Sequence, residues 1–189
     1  MHELNLFVFN FINGGAGQYR ALDTVLLFLT SYLAYGVSIL VAIYILVWIP
    51  AHTRDLSERL RALRHAVEYI FVTLSVYVLV QIVKVITMIP RPFVTLTGIN
   101  SLSPYEIGYS FPSLHAAMTV ALATIVYLHH KRLGILLYGF AVVVCLSRIY
   151  IGVHYPKDVF VGAMLGFIFA SLMHLLFCRV YQDKSTPAV

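Results

Sequence analysis

Three short stretches hold most of the residues that could do chemistry. In the first, Lys84 is followed seven residues later by Arg91 and then Pro92. The second, Ser110-Phe111-Pro112-Ser113-Leu114-His115, joins two serines and a histidine around a proline. The third opens with Ser147-Arg148 and continues to His154 and, four residues on, Asp158. Guanidinium and ammonium groups are what phosphoryl oxygens require. An imidazole supplies a nucleophile or a proton carrier, and a nearby carboxylate can hold one ring nitrogen while the other stays free to attack. Each stretch alone has a plainer reading. Lys84 could cover apolar surface with its stem, His115 could be a hydrogen-bonded structural histidine, and Asp158 could serve a helix start. Taken together, three cations, two histidines, a serine and an aspartate point to one ligand, a phosphoryl group.

The elements that must position these residues are apolar. Of 189 residues, 60% are hydrophobic and 11% charged, against about 25% charged in soluble domains. The chain lacks the polar surface to cover itself in water, so lipid is its solvent. A helix crossing the hydrocarbon needs about 20 apolar residues. The runs 66–89, 112–128, 133–149 and 158–178 meet this, and a fifth span is expected at about 33–49 after a short helix at 20–31. The segment 5–11 is short and reads as an interfacial helix ended by Asn13-Gly14-Gly15. The expected fold is an all-α polytopic bundle of five spans, or six if that segment crosses, forming a single domain over 1–189. The stretch from Gln182 is expected to be a disordered tail.

Net charge is +5, but the basic residues lie in short segments between apolar runs, where a membrane protein anchors itself. That distribution argues for a bilayer partner and against nucleic acid. Arg54, Arg59, Arg61 and Arg64, then Lys131 and Arg132, then Arg179 and Lys184, alternate with the segments that carry the chemistry. Basic loops stay cytoplasmic, so the three motifs are expected on the outer side of a cytoplasmic membrane. Cys145 and Cys178 fall inside apolar runs and read as small buried hydrophobes.

The motifs resemble the signature of the type-2 phosphatidic acid phosphatase family, Lys-x6-Arg-Pro, Pro-Ser-x-His and Ser-Arg-x5-His-x3-Asp. This chain reads KVITMIPRP at 84–92, PSLH at 112–115 and SRIYIGVHYPKD at 147–158. One departure is Leu114, where many members have glycine; it implies a different pocket shape. The resemblance implies that His154 is the nucleophile and forms a phosphohistidine, that Asp158 orients it, and that His115 protonates the leaving oxygen and then activates water. It implies phosphoryl binding by Lys84, Arg91, Arg148 and Ser113, with no cofactor and no metal. The stretch IPRPFV at 89–94 is similar to bacterial undecaprenyl-diphosphate phosphatases of the family. A lipid diphosphate is thus the first expected substrate. Phosphatidylglycerophosphate, phosphatidate and lipid A are the alternatives, and phosphotransfer to an alcohol is another outcome of the same intermediate. Glu106 is either a substrate contact or a solvated loop carboxylate.

Overall fold

In the computed structural model of the chain, residues 2–44, 47, 51, 55–103 and 106–183 are described. All regular structure among them is helical, with no strand. Helix α1 spans His2–Asn13 and α2 spans Arg20–Phe28; a π-helical turn, Leu29–Leu33, leads straight into α3, Ala34–Ile43. Then come α4 (Leu56–Thr87), a single turn α5 (Pro92–Thr95), α6 (Leu114–His129), α7 (Lys131–Tyr150) and α8 (Pro156–Asp183).

Several expected boundaries change. Helix α4 starts ten residues before the expected span, at Leu56, because the Asp55 carboxylate caps it by accepting from the Ser57 N–H at 3.1 Å. Its first three turns carry exposed charges and need no lipid. The expected break between the short helix at 20–31 and the span from about 33 does not occur, since a π-turn carries the chain through it and α2 and α3 form one continuous helical path. Helix α8 runs on through Gln182 and Asp183, where a disordered tail was expected. The inner end of the fifth expected span, Arg54, and Lys184 with the tail behind it lie outside the described residues.

By length and composition, three helical stretches can cross a membrane: Leu56–Thr95, Lys131–Tyr150 and Pro156–Val180. Helix α6 has only 16 residues, about 24 Å at 1.5 Å per residue, and is the central helix of the bundle. Ala116, Ala117, Ala121 and Ala123 are buried along with Leu122, Ile125 and Val126, so α6 is covered on most of its circumference.

Small residues let α8 approach α6 backbone to backbone. Gly162 and Gly166 of α8 form a G-x-x-x-G pair. A Cβ on Gly162 would collide with the Ser113 carbonyl, and one on Gly166 with the Ala117 carbonyl. In lipid, where apolar contact gains little over the solvent, such close packing is what holds helices together. Gly134 does the same for α7, since a Cβ there would strike Tyr127. Helix α1 packs on the opposite flank through Phe9, which is fully buried and lies 5.6 Å from the Tyr155 ring. Its last residue, Asn13, donates to the carbonyls of Asn100 and Tyr150 at 2.8 Å each. The apolar first helix is therefore tied to the loops at one end of the bundle.

Replacing Gly166 by Val is expected to lower the thermal midpoint in detergent by the equivalent of about 1–3 kcal/mol, the usual cost of overpacking. Gly139→Ala is the control, because nothing lies within 4 Å of the added Cβ. Equal melting of the two variants would remove the glycine contact as a stabilising element.

Candidate active site

The three motifs meet at one end of the bundle. Helices α4 and α7 arrive there with their C-termini, and α6 and α8 leave from it. A cavity of about 620 Å³ opens between them, lined by Ser31, Gln81, Lys84, Val85, Arg91, Ser103, Glu106, Ile107, Gly108, Tyr109, Leu114, His115, Arg148 and His154. The three expected cations, both histidines and Glu106 are thus on one wall system. Ser113 and Asp158 are fully buried and stand behind it.

The path by which Lys84 and Arg91 converge differs from a shared helix face. Helix α4 ends at Thr87, and Met88 adopts a left-handed conformation (φ 48°) with its N–H bonded to the Lys84 carbonyl. The chain then runs extended through Arg91, whose side chain folds back. Its guanidinium is held on several sides: Nε donates to the Gly108 carbonyl at 3.1 Å, Nη1 to the Val153 carbonyl at 3.2 Å, and Nη2 to the Ile107 carbonyl at 3.4 Å. Lys84 Nζ donates to the carbonyls of Tyr109 (2.5 Å) and Ser110 (3.2 Å). Arg148, at the end of α7 and 1% exposed, donates from Nη1 to Thr30 Oγ1 at 3.2 Å. Thr30 belongs to the π-turn, and π-turns often sit at functional sites.

Glu106 bridges the two arginines. One carboxylate oxygen lies 2.8 Å from Arg91 Nη1 and the other pairs with Arg148 Nη2. The reading of Glu106 as a solvated loop residue does not hold, because its charge is spent on two buried guanidiniums. A phosphoryl group reaching both arginines has to displace or share this carboxylate.

His154 is 1% exposed and sits in the loop between α7 and α8. Burial, and then the Arg148, Arg91 and Lys84 cations, hold its imidazole well below the ordinary range. The ring is therefore neutral, with a free lone pair. Nε2 faces the cavity, 3.3 Å from Arg91 Nη1. Nδ1 lies 3.8 Å from Asp158 Oδ2, too far for a direct hydrogen bond. Ser110 fills the gap. Its Oγ is 3.3 Å from Nδ1 and donates to Asp158 Oδ2 at 2.5 Å. An N–H on Nδ1 can donate to the Ser110 oxygen, whose own proton goes to the aspartate. Asp158 is itself fixed by the Tyr155 N–H, at 3.0 Å.

Ser110 is a functional contact to which the sequence reading gave no role. The cap of α6 is Ser113, whose Oγ accepts from the Ala116 N–H at 3.5 Å, and the Ser110 hydroxyl is left for His154 and Asp158. The Ser113 hydroxyl is thus committed to the helix start, and its N–H donates to the Asp158 carbonyl at 2.9 Å, tying the first turns of α6 and α8 together. Asp158 Oδ1 and Arg148 Nε are buried with no hydrogen-bond partner among the described residues. Polar atoms left in this way tend to mark functional sites.

The arrangement can receive a tetrahedral anion between two guanidiniums and an ammonium and present an unprotonated imidazole nitrogen to it. Known proteins fit this chemistry. The PAP2 superfamily profile matches residues 65–181. The chain is 34% identical over 168 residues to the bacitracin transport permease protein BcrC of Bacillus licheniformis, covering 89% of this chain and 78% of that one. It is 28% identical over 180 residues to undecaprenyl-diphosphatase BcrC of Bacillus subtilis strain 168, covering 92% and 86%. Among solved structures, LpxE of Aquifex aeolicus superposes with a TM-score of 0.69 at 28% identity, over 90% of this chain and 94% of that one.

Ser110→Ala is expected to slow phosphate release about tenfold or more at saturating substrate, ~1.4 kcal/mol or more in the barrier, with KM little changed. Ser110→Thr, which keeps the hydroxyl, should restore most of the rate. Full turnover by the alanine variant would show that Asp158 needs no relay.

Proposed function

The chain belongs to the PAP2 superfamily, with helices long and apolar enough to cross a membrane and likeness to undecaprenyl-diphosphatases; we propose that this membrane-embedded lipid phosphatase hydrolyses undecaprenyl diphosphate to undecaprenyl phosphate at the extracytoplasmic face of the cytoplasmic membrane. The observation that carries the reading is His154. Its Nε2 lies 3.3 Å from Arg91 Nη1 and its Nδ1 is linked through the Ser110 hydroxyl to Asp158, so the ring, kept neutral by burial and the surrounding cations, can offer Nε2 to a phosphoryl group.

Arg91, Arg148 and Lys84 hold the terminal phosphoryl oxygens, and Ser113 serves by holding the start of α6 against α8. His154 Nε2 attacks phosphorus, forming a P–N bond as the P–O bond to the lipid phosphate breaks. His115, on the cavity wall, gives its proton to the leaving oxygen. The same imidazole then takes a proton from a water that attacks the phosphohistidine, the P–N bond breaks, and inorganic phosphate leaves. Binding at the two arginines moves the Glu106 carboxylate aside, which makes Glu106 a competitor for the phosphoryl position as well as a substrate contact.

The outer-face assignment rests on charge. Arg59, Arg61 and Arg64 on the first turns of α4, Lys131 and Arg132 at the start of α7, and Arg179 near the end of α8 all lie at the end of the bundle opposite the cavity. Basic residues mark the cytoplasmic side. With α6 counted, and with the α2–α3 path completing a fifth crossing, the chain crosses the bilayer five times. The diphosphate preference is supported by likeness to undecaprenyl-diphosphatase BcrC. A carrier, the activity in the name of the Bacillus licheniformis relative, would need cations for phosphate but no held and neutral imidazole behind them.

His154→Ala is expected to lose essentially all phosphatase activity while keeping its melting profile, and rapid quench of the wild type should trap an acid-labile, base-stable phosphoprotein. Near-normal turnover by the variant would overturn the nucleophile. Phosphate release from a panel of undecaprenyl diphosphate, phosphatidylglycerophosphate, phosphatidate and lipid A should favour the first. A strong preference for a glycerolipid or lipid A would replace the substrate but leave the mechanism. Glu106→Gln should lower the inhibition constant of inorganic phosphate several-fold, since the neutral amide contests the arginines less. An unchanged constant would show that Glu106 does not compete.

A further inference from the structure

At the end of the bundle opposite the cavity, α4, α6 and α8 each contribute one metal-ligating side chain to a single cluster. Glu68 is 4% exposed, inside an apolar helix. Its two oxygens are divided between two histidines, Oε2 lying 2.9 Å from His129 Nε2 and Oε1 lying 2.7 Å from His174 Nδ1. His174 lies within an apolar run and His129 beside the basic pair Lys131 and Arg132, and the shared carboxylate joins the two.

We propose that Glu68, His129 and His174 form a binding site for a zinc-class divalent cation. The three donor atoms lie within 4.8 Å of one another, which accommodates the ~3.4 Å ligand spacing of a tetrahedral ion with bonds of 2.0–2.1 Å. Two imidazole nitrogens and one carboxylate oxygen suit zinc and late first-row ions over magnesium or calcium, which favour all-oxygen shells. Three protein ligands leave one position for water, and a cavity of about 160 Å³ beside the cluster, lined in part by His65 and Cys178, gives it room.

The neighbours orient the ligands. The His65 ring stacks on His129 with centroids 3.8 Å apart. Cys178 Sγ is 3.6 Å from His174 Nε2, the nitrogen that does not face Glu68. Cys178 therefore steers the His174 ring and is not a fourth ligand to the same ion. Such outer contacts fix ring orientation in metal sites. Arg61 and Arg64 also line the cavity, so a cation enters past positive charge and depends on the donor set for its affinity.

The cluster stands far from the phosphoryl site. Glu68 and Lys84 on α4 are 16 residues apart, His129 and His115 on α6 are 14 apart, and His174 and Asp158 on α8 are 16 apart. These separations are about 21–24 Å along each helix. The proposed ion lies outside the phosphoryl site. It clamps the inner ends of the three helices whose outer ends carry Lys84, His115 and Asp158.

The test uses the full chain in detergent, tag removed and stripped with a chelator. Zinc or magnesium is added, the excess removed, and metal per chain and thermal midpoint are read. One zinc per chain with a midpoint raised by several degrees is expected, and magnesium should do neither. Glu68→Gln and His174→Ala should each weaken zinc binding at least tenfold. If His174→Ala fails to fold, Glu68→Gln, which keeps the side-chain volume, decides alone. A wild-type chain that takes up no stoichiometric zinc overturns the site, as does a Glu68→Gln chain that binds as tightly as wild type. Either failure leaves the phosphatase reading intact, because no residue of the cluster lines the catalytic cavity.

Discussion

Backbone contact between α6 and α8 is the constraint on which the rest of this protein depends. Gly162 and Gly166 let α8 rest on the backbone of Ser113 and Ala117. The Ser113 N–H to Asp158 carbonyl bond closes the contact at its outer end. Two helix starts are thereby placed side by side, one carrying His115 and the other Asp158, with His154 in the short loop just before α8. A larger side chain at either glycine would separate these starts, and the site would lose its geometry before losing any of its residues.

Burying so much charge inside an apolar bundle requires compensation. Here it comes largely from main-chain carbonyls. The segment 107–110 turns its carbonyls toward Arg91 and Lys84, and Val153 adds another beneath His154. Glu106 supplies a carboxylate that pairs with both arginines. The loop before α6 therefore does two things at once. It neutralises the cations, and it sets the shape of the opening through which a phosphate must pass.

Much of the site was legible in the sequence because charged and titratable residues are rare in apolar helices, and those that occur stand out. Lys84, Arg148 and His115 were visible for that reason, and Arg91 and His154 by their spacing from them in the three motifs. What escaped notice depends on three-dimensional partners. Ser110 has the type of a cap, and only packing shows that Ser113 takes that duty. Glu106 stood out as a candidate substrate contact, but its two arginine partners come from distant segments that only the fold brings beside it. Glu68 was passed over because its partners lie 61 and 106 residues away. Boundaries failed for local reasons: a cap at Asp55 lengthened α4, and a π-turn carried the chain through a stretch whose composition suggested a break.

That π-turn has a consequence for how the chain can change over time. A π-turn amounts to one residue more than the helix needs, and each residue turns an α-helix by about 100°. Removing a single residue between Leu29 and Leu33 would give a more regular helix with its two flanks still in register, yet it would abolish the bulge that carries Thr30 and Ser31. Thr30 would swing away from Arg148, and Ser31 would leave the cavity wall. The deletion that would make this helix locally more regular is thus the one that would detach it from the site, because its irregularity is where it touches Arg148 and the cavity.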